Sequence, residues 1–216
     1  AQRALEFILG WFGDPLWFGR YPESMRSRLG ERLPRFSDHD RELLRGSSDF
    51  FGLNHYTTHY AAGAPGKEPA GEGCDPDADM EAAFSFDPAW PRTAMGWAIV
   101  PRGLNRLLHW IDSRYNRPEI VITENGCAMD DRLEEGRVDD QGRIDYFKGY
   151  LAACHQAITA GVHLTGYFAW SLLDNFEWAS GYGKRFGLHY VDFATQQRLP
   201  KSSAAWFSRL IADNGF

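Results

Sequence analysis

The stretch Pro118-Glu119-Ile120-Val121-Ile122-Thr123 is short, apolar and β-branched, and it stops abruptly at Glu124-Asn125-Gly126. A continuous apolar run of this length, closed by turn residues, reads as a strand buried on both faces. Such strands belong to parallel sheets covered by helices. A carboxylate at the end of that strand is costly as core and useful as chemistry, because the C-terminal ends of parallel strands are where α/β folds carry their sites. The plainer alternative for Glu124 is a strand-end carboxylate that caps the following loop.

Two further runs share the design. Asp49-Phe50-Phe51-Gly52-Leu53-Asn54 is a strand candidate ending in a polar residue, and Leu164 to Ser171 leads into Asp174, Asn175 and Glu177. Helical spacing lies between them. Leu104, Leu107, Leu108, Ile111 and Tyr115 mark one face of a helix with Pro101 in its first turn. Ile144, Phe147, Leu151, Cys154 and Ile158 mark a second that stops at Gly161, and residues 202–212 form a last one. Strand–helix alternation implies parallel pairing with right-handed crossovers, hence the α/β class. The strand ends then bring Asn54, Tyr56, Glu124, Trp170 and Glu177 to one rim.

The first third reads as short helices: a pattern from Leu5 to Trp11 stopped at Asp14-Pro15, a polar helix over 22–29, and one over 37–44 behind the N-cap Ser37. Residues 61–91 are rich in Gly, Pro and Asp without periodicity, and are expected to form a long loop. Residues 127–142 read as an acidic loop. No repeat or linker divides the chain, so one domain over 1–216 is expected.

Composition removes several classes of function. A net charge of −6 opposes nucleic acid or an anionic membrane as partner, since both reward clustered Lys and Arg. No apolar run reaches membrane-span length, and the first residues lack the pattern of a secretory leader. Cys74, Cys127 and Cys154 are too scattered for a disulfide framework, so a reducing, cytoplasmic location is expected. No glycine-rich phosphate loop and no Cys or His metal spacing occurs, so neither cofactor nor metal is expected. His55, His109, His155 and His163 are read as packing or surface residues, and His189 is left undecided. The start at Ala1-Gln2-Arg3, already inside a helical pattern, is read as the result of truncation.

What remains is a rim of carboxylates and flat rings. Paired carboxylates flanking a sugar are the machinery of glycoside hydrolysis, one attacking the anomeric carbon while the other protonates the departing oxygen. Glu124 suits the attacking role, because a nucleophile needs a rigid strand end. Tyr56 could donate to it and keep it ionised. Glu177 beside Trp178 and Trp170 reads as sugar recognition, an acceptor for hydroxyls next to apolar faces. Core packing is the plain alternative for the tryptophans, and a solvated loop carboxylate for Glu177. Cys127, close to Glu124, is read as a small apolar filler.

Ile122-Thr123-Glu124-Asn125-Gly126 and the run Gly166 to Trp178 closely resemble glycoside hydrolase family 1, the β-glucosidases, the bacterial members above all. Trp11-Phe12, Asp14-Pro15-Leu16, Gly19 to Pro22, Gly52-Leu53-Asn54 and Lys184 to Gly187 resemble the same family. The resemblance implies a (β/α)₈ TIM barrel, here a partial one with its last three βα units. It implies a retaining double-displacement hydrolase acting on β-glucosides or cello-oligosaccharides. Glu124 would be the nucleophile and Tyr56 its hydrogen-bond partner. Glu177 would hold the 4- and 6-hydroxyls of the terminal sugar, with Trp178 and Trp170 shaping that subsite. Asn54 would sit at the pocket floor, Phe186 would line it, and Trp97 would flank the aglycone. The family also implies a cis bond between Trp170 and Ser171. Where Glu177 stands, relatives taking phosphorylated sugars usually have a small hydroxyl residue, so an unphosphorylated substrate is expected.

The departures matter as much. The family's acid/base glutamate lies in an Asn-Glu-Pro triplet, and these 216 residues contain none. The pair in Lys67-Glu68-Pro69 lacks the flanking residues and is rejected. The earlier Gln-His and Asn of the sugar subsite are also missing. His55 replaces a usual Tyr, and Ala98 and Arg102 stand where Glu is common. The expected role is therefore the C-terminal part of a β-glucosidase, active when joined to its N-terminal barrel half. The alternatives are a non-catalytic sugar-binding or self-associating half barrel, or an incomplete gene product without a separate role.

Overall fold

The computed structural model describes residues 1–66 and 75–215, so Lys67-Glu68-Pro69 and Cys74 lie outside the described residues. In chain order it runs α1 (Gln2–Leu5), a π-wound turn (Glu6–Gly10), α2 (Trp11–Phe18), α3 (Glu23–Leu29), α4 (Asp38–Leu44) and β1 (Phe51–Asn54). Then follow β2 (Tyr60–Gly63), α5 (Pro76–Asp79), β3 (Ala82–Ser85), α6 (Pro101–Arg114), β4 (Ile120–Asn125) and α7 (Gln141–Thr159). The last elements are β5 (Leu164–Ala169), β6 (His189–Val191), β7 (Arg198–Pro200) and α8 (Ser202–Asp213). The chain folds into two compact units, one of residues 1–49 with 59–88, the other of residues 50–58 with 89–216.

In the second unit β1, β4 and β5 form a parallel sheet in the order β1-β4-β5. Its register sets Leu53 beside Ile122, Asn54 beside Glu124, Ile122 beside Tyr167 and Asn125 beside Ala169. One face is packed: Phe51, Leu53, Ile120 and Ile122 are buried together with Leu104, Leu108 and Ile111 of α6 and Phe147 of α7. The other carries Gly52, Asn54 and Phe168, all exposed. β4 runs two residues past the apolar stretch, because Glu124 and Asn125 still pair with their neighbours. The hairpin of β6 and β7 is not foreshadowed by any alternation, its strands being three residues each.

The first unit corrects two expectations. The opening helix does not stop at Asp14-Pro15 but continues to Phe18 and closes on Gly19, in the left-handed region at φ 67°. Pro15 deletes one donor and crowds the preceding turn, but Asp14 and Pro15 are buried and the helix runs on through them. Nor is the 61–91 stretch a featureless loop, since β2 and β3 pair as an antiparallel hairpin. Met80 and Ala82 anchor it in a small core with Ala4, Phe7, Met25 and Leu33. Arg3 donates to the carbonyls of Met80 and Glu81, while Arg32 pairs with Asp79. Two anchors fixed by distant arginines leave no periodicity to read.

Candidate active site

Glu124 stands in the last turn of pleat on β4, and its carboxylate accepts a hydrogen bond from the Tyr56 hydroxyl at 2.5 Å. The main chain fixes the pair as well, since the His55 amide donates to the Glu124 carbonyl at 2.9 Å. Burial, then the bond to Glu124, then the charges of Glu124 and Glu177 hold the Tyr56 phenol well above its ordinary range. Tyr56 therefore stays a proton donor to the carboxylate at any physiological pH.

Three rings close one side of this pair. Tyr56 lies 5.5 Å from Trp97 and 6.0 Å from Phe186, and Trp97 and Phe186 are 6.0 Å apart, all between centroids. Glu177 is buried, and its carboxyl titrates above the ordinary value, through burial first and repulsion by Glu124 second. Glu177 thus feels the charge of Glu124, and Tyr56 feels both carboxylates beside its two ring neighbours. Trp178 follows Glu177 with 82% of its surface bare. Asn54 is exposed and accepts from the Thr123 hydroxyl at 2.6 Å. Trp170 is half-buried, donates its amide to the Asn125 carbonyl at 2.8 Å and joins Ser171 through a cis bond. Gly126 is obligatory here: a Cβ on it would lie 1.7 Å from the Trp170 carbonyl oxygen.

Cys127 is fully buried and its thiol is pushed up to about 12 by burial, consistent with a filler and not a nucleophile. His55 is buried, burial drawing it down to about 4, so it is neutral. His109, His155 and His163 are exposed. Among the described residues no group of three or more His, Cys, Asp or Glu is placed to hold a metal ion, and no helix is long and apolar enough to cross a membrane.

Sequence reading missed the support behind the rim. Arg143 and Lys201, both buried, share Asp131, at 2.8 and 2.5 Å. Arg143 also pairs with Asp140, and Lys201 reaches Asp174 at 2.8 Å. Asp174 in turn takes Arg185 at 2.6 Å and the Gly187 amide at 2.9 Å. Three aspartates and three cations thus tie the 127–142 loop and α8 to the loop that carries Glu177 and Phe186. The sole sequence-level hint is the charge of residues too scattered for a surface stripe.

Parallel βα units with carboxylates and aromatic rings gathered at the strand ends have the build of one sector of a (β/α)₈ barrel. The model of glycosyl hydrolase family 1 matches residues 1–216, and the chain belongs to that family. It is 48% identical over 222 residues to Beta-glucosidase 42 of Arabidopsis thaliana, covering 98% of this chain and 45% of the relative. It is 45% identical over 205 residues to Beta-glucosidase A of Thermotoga maritima, covering 94% and 43%. The likeness thus reaches plant as well as bacterial members. The solved family 1 β-glucosidase of T. maritima superposes with a TM-score of 0.86 at 42% identity, over all of this chain and 47% of that one. The same enzyme in complex with castanospermine gives 0.85. The chain spans about half the length of the curated relatives it matches.

Proposed function

We propose that this chain supplies the nucleophile side of a retaining β-glucosidase site. The observation that carries the reading is the strand-end carboxylate of Glu124 held by a phenol that cannot ionise, inside a cluster of rings and next to a second carboxylate. In the first step an oxygen of Glu124 bonds to the anomeric carbon while the glycosidic oxygen departs. In the second, water displaces the glutamate from the glycosyl ester with retention overall. Tyr56 steadies the carboxylate before attack. Glu177 accepts hydroxyls of the terminal glucose, Trp178 and Trp170 flank them, Trp97 faces the aglycone, and Asn54 and Phe186 complete the floor and wall.

A phosphate on that sugar would meet two carboxylates, so the substrate is an unphosphorylated β-glucoside or cello-oligosaccharide. The proton donor comes from a partner half of the barrel, since no Asn-Glu-Pro occurs among these residues. The scarce cysteines, with Cys127 and Cys154 free and buried, support a cytoplasmic location. The experiment uses a leaving group that needs no proton. With 2-deoxy-2-fluoro-β-D-glucosyl fluoride, Glu124 bonds to the anomeric carbon as the C–F bond breaks and fluoride leaves with the electron pair. Mass spectrometry should find the fluoroglucosyl group on Glu124, and Glu124→Gln should cut labelling on the order of 10⁴-fold or more. Label on another residue, or undiminished label in the variant, would overturn the reading.

A further inference from the structure

Asn125 follows Glu124 and is fully buried, and besides the ladder bond its carbonyl accepts from the Trp170 amide, its side chain is fully engaged. Its amide nitrogen donates to the His55 carbonyl at 2.7 Å and to the Tyr146 hydroxyl at 3.0 Å. Its amide oxygen accepts from the Tyr167 hydroxyl at 2.5 Å. One side chain on β4 is thereby joined to the end of β1, to β5 and to α7. The Tyr146 hydroxyl passes the connection on, donating to the carbonyl of Tyr56 at 3.4 Å.

These contacts close a ring. Glu124 is bonded through its peptide to Asn125, Asn125 to Tyr146, Tyr146 to the main chain of Tyr56, and the Tyr56 phenol to Glu124. We propose that Asn125, with Tyr146 and Tyr167, forms a clamp that fixes the Glu124 carboxylate relative to the Tyr56 phenol, making all three positioning residues for attack on the sugar. This rests on Glu124 being the nucleophile. The physical case is one of satisfaction: a fully buried amide can be held in a single orientation only when its donors and acceptor are met. Here both donors and the acceptor are met by groups from three different elements. The orientation of the strand tip is then set by the sheet and helix together and not by the loop that follows. Burial keeps both clamp phenols protonated, well above their ordinary range, so the donor and acceptor roles are fixed across physiological pH.

Tyr146→Phe and Tyr167→Phe keep the rings and delete one clamp bond each. Two readouts on the whole chain separate the clamp from the chemistry. The first needs no sugar: the ¹³Cζ resonance of Tyr56, which reports its bond to Glu124, should move in both variants in the direction that Glu124→Gln moves it. The second is fluoroglucosyl labelling, whose limiting rate should fall about 10–100-fold while the half-saturating reagent concentration stays within about twofold, as expected for misplacement without lost binding. Ile111→Val, a buried apolar change on α6, should lower thermal stability and leave both readouts alone. An unmoved Tyr56 resonance with parental labelling in both phenylalanine variants would overturn the clamp and leave Glu124 as nucleophile. A moved resonance in a chain that never labels would support the clamp and reject the nucleophile.

Discussion

Glu177 carries the pH dependence of this site. Its carboxyl sits above the ordinary 4.5, because burial strips water from the charge and, second, because Glu124 repels it. The folded chain therefore holds that proton more tightly than the unfolded chain does. Stability falls as pH rises from the unfolded value through the raised folded value, and the penalty is constant above that window. Glu177→Gln should thus melt at a higher temperature than the parent at pH 7, and the gap should close as pH falls below the ordinary carboxylate value. A gap that widens toward acid would reverse the assigned sign. At this scale much of the site is legible in the sequence, for a plain reason. Glu124 ends an apolar run where a charge has no business as core, and Trp170, Glu177 and Trp178 crowd one short stretch. Asn125 is not legible as a clamp, because its partners Tyr146 and Tyr167 stand 21 and 42 positions away, and a buried amide and a loop amide look alike in a string of letters.

Helices α6, α7 and α8 and strands β1, β4 and β5 can be read from spacing because each buries a face against its neighbours. The ion network behind them cannot, since no periodicity marks a lysine at position 201 as core. Yet Lys201 is 1% exposed and meets both Asp131 and Asp174. Taking charges out of water is costly, so such a network contributes less by attraction than it would cost to break. Lys201→Met deletes one cation and leaves two buried aspartates short of a partner. The expected loss is about 3–5 kcal/mol in urea unfolding, the range seen when one member of a buried pair is removed. The loop bearing Glu177 and Phe186 should loosen first, because Asp174 also holds the Gly187 amide and Arg185. Hydrogen exchange of the Gly187 amide would show this. Exchange there no faster than in the parent would mean that the network supports α8 alone.

Parallel sheets are ordinarily covered on both faces, and a closed barrel has no edges. Among the described residues the sheet β1-β4-β5 has edges at β1 and β5, and Phe168 on its open face is 62% exposed. Leu172, Phe176 and Trp178 continue the apolar exposure beyond β5, at 63%, 56% and 82%. Beside the same edge a cavity of about 990 Å³ opens between α7, β5 and α8, lined by Ile158, Leu164, Tyr167 and Ile211 among others. The two edges are where further strands of a barrel would pair, and this chain matches relatives roughly twice its length. Two consequences separate in the test tube. By itself the chain should associate with rising concentration, because exposed parallel edges and apolar patches of this kind recruit other chains. Co-expressed with the part of T. maritima Beta-glucosidase A that it does not match, it should form a one-to-one complex. That complex should turn over an aryl β-glucoside about 10²–10⁴-fold faster than the chain alone, the share a general acid contributes. Sedimentation velocity and a chromogenic assay read both outcomes. A chain that stays monomeric at every concentration, ignores the complementary half and still cleaves the glucoside at full rate would place the proton donor within these residues and the edges out of use.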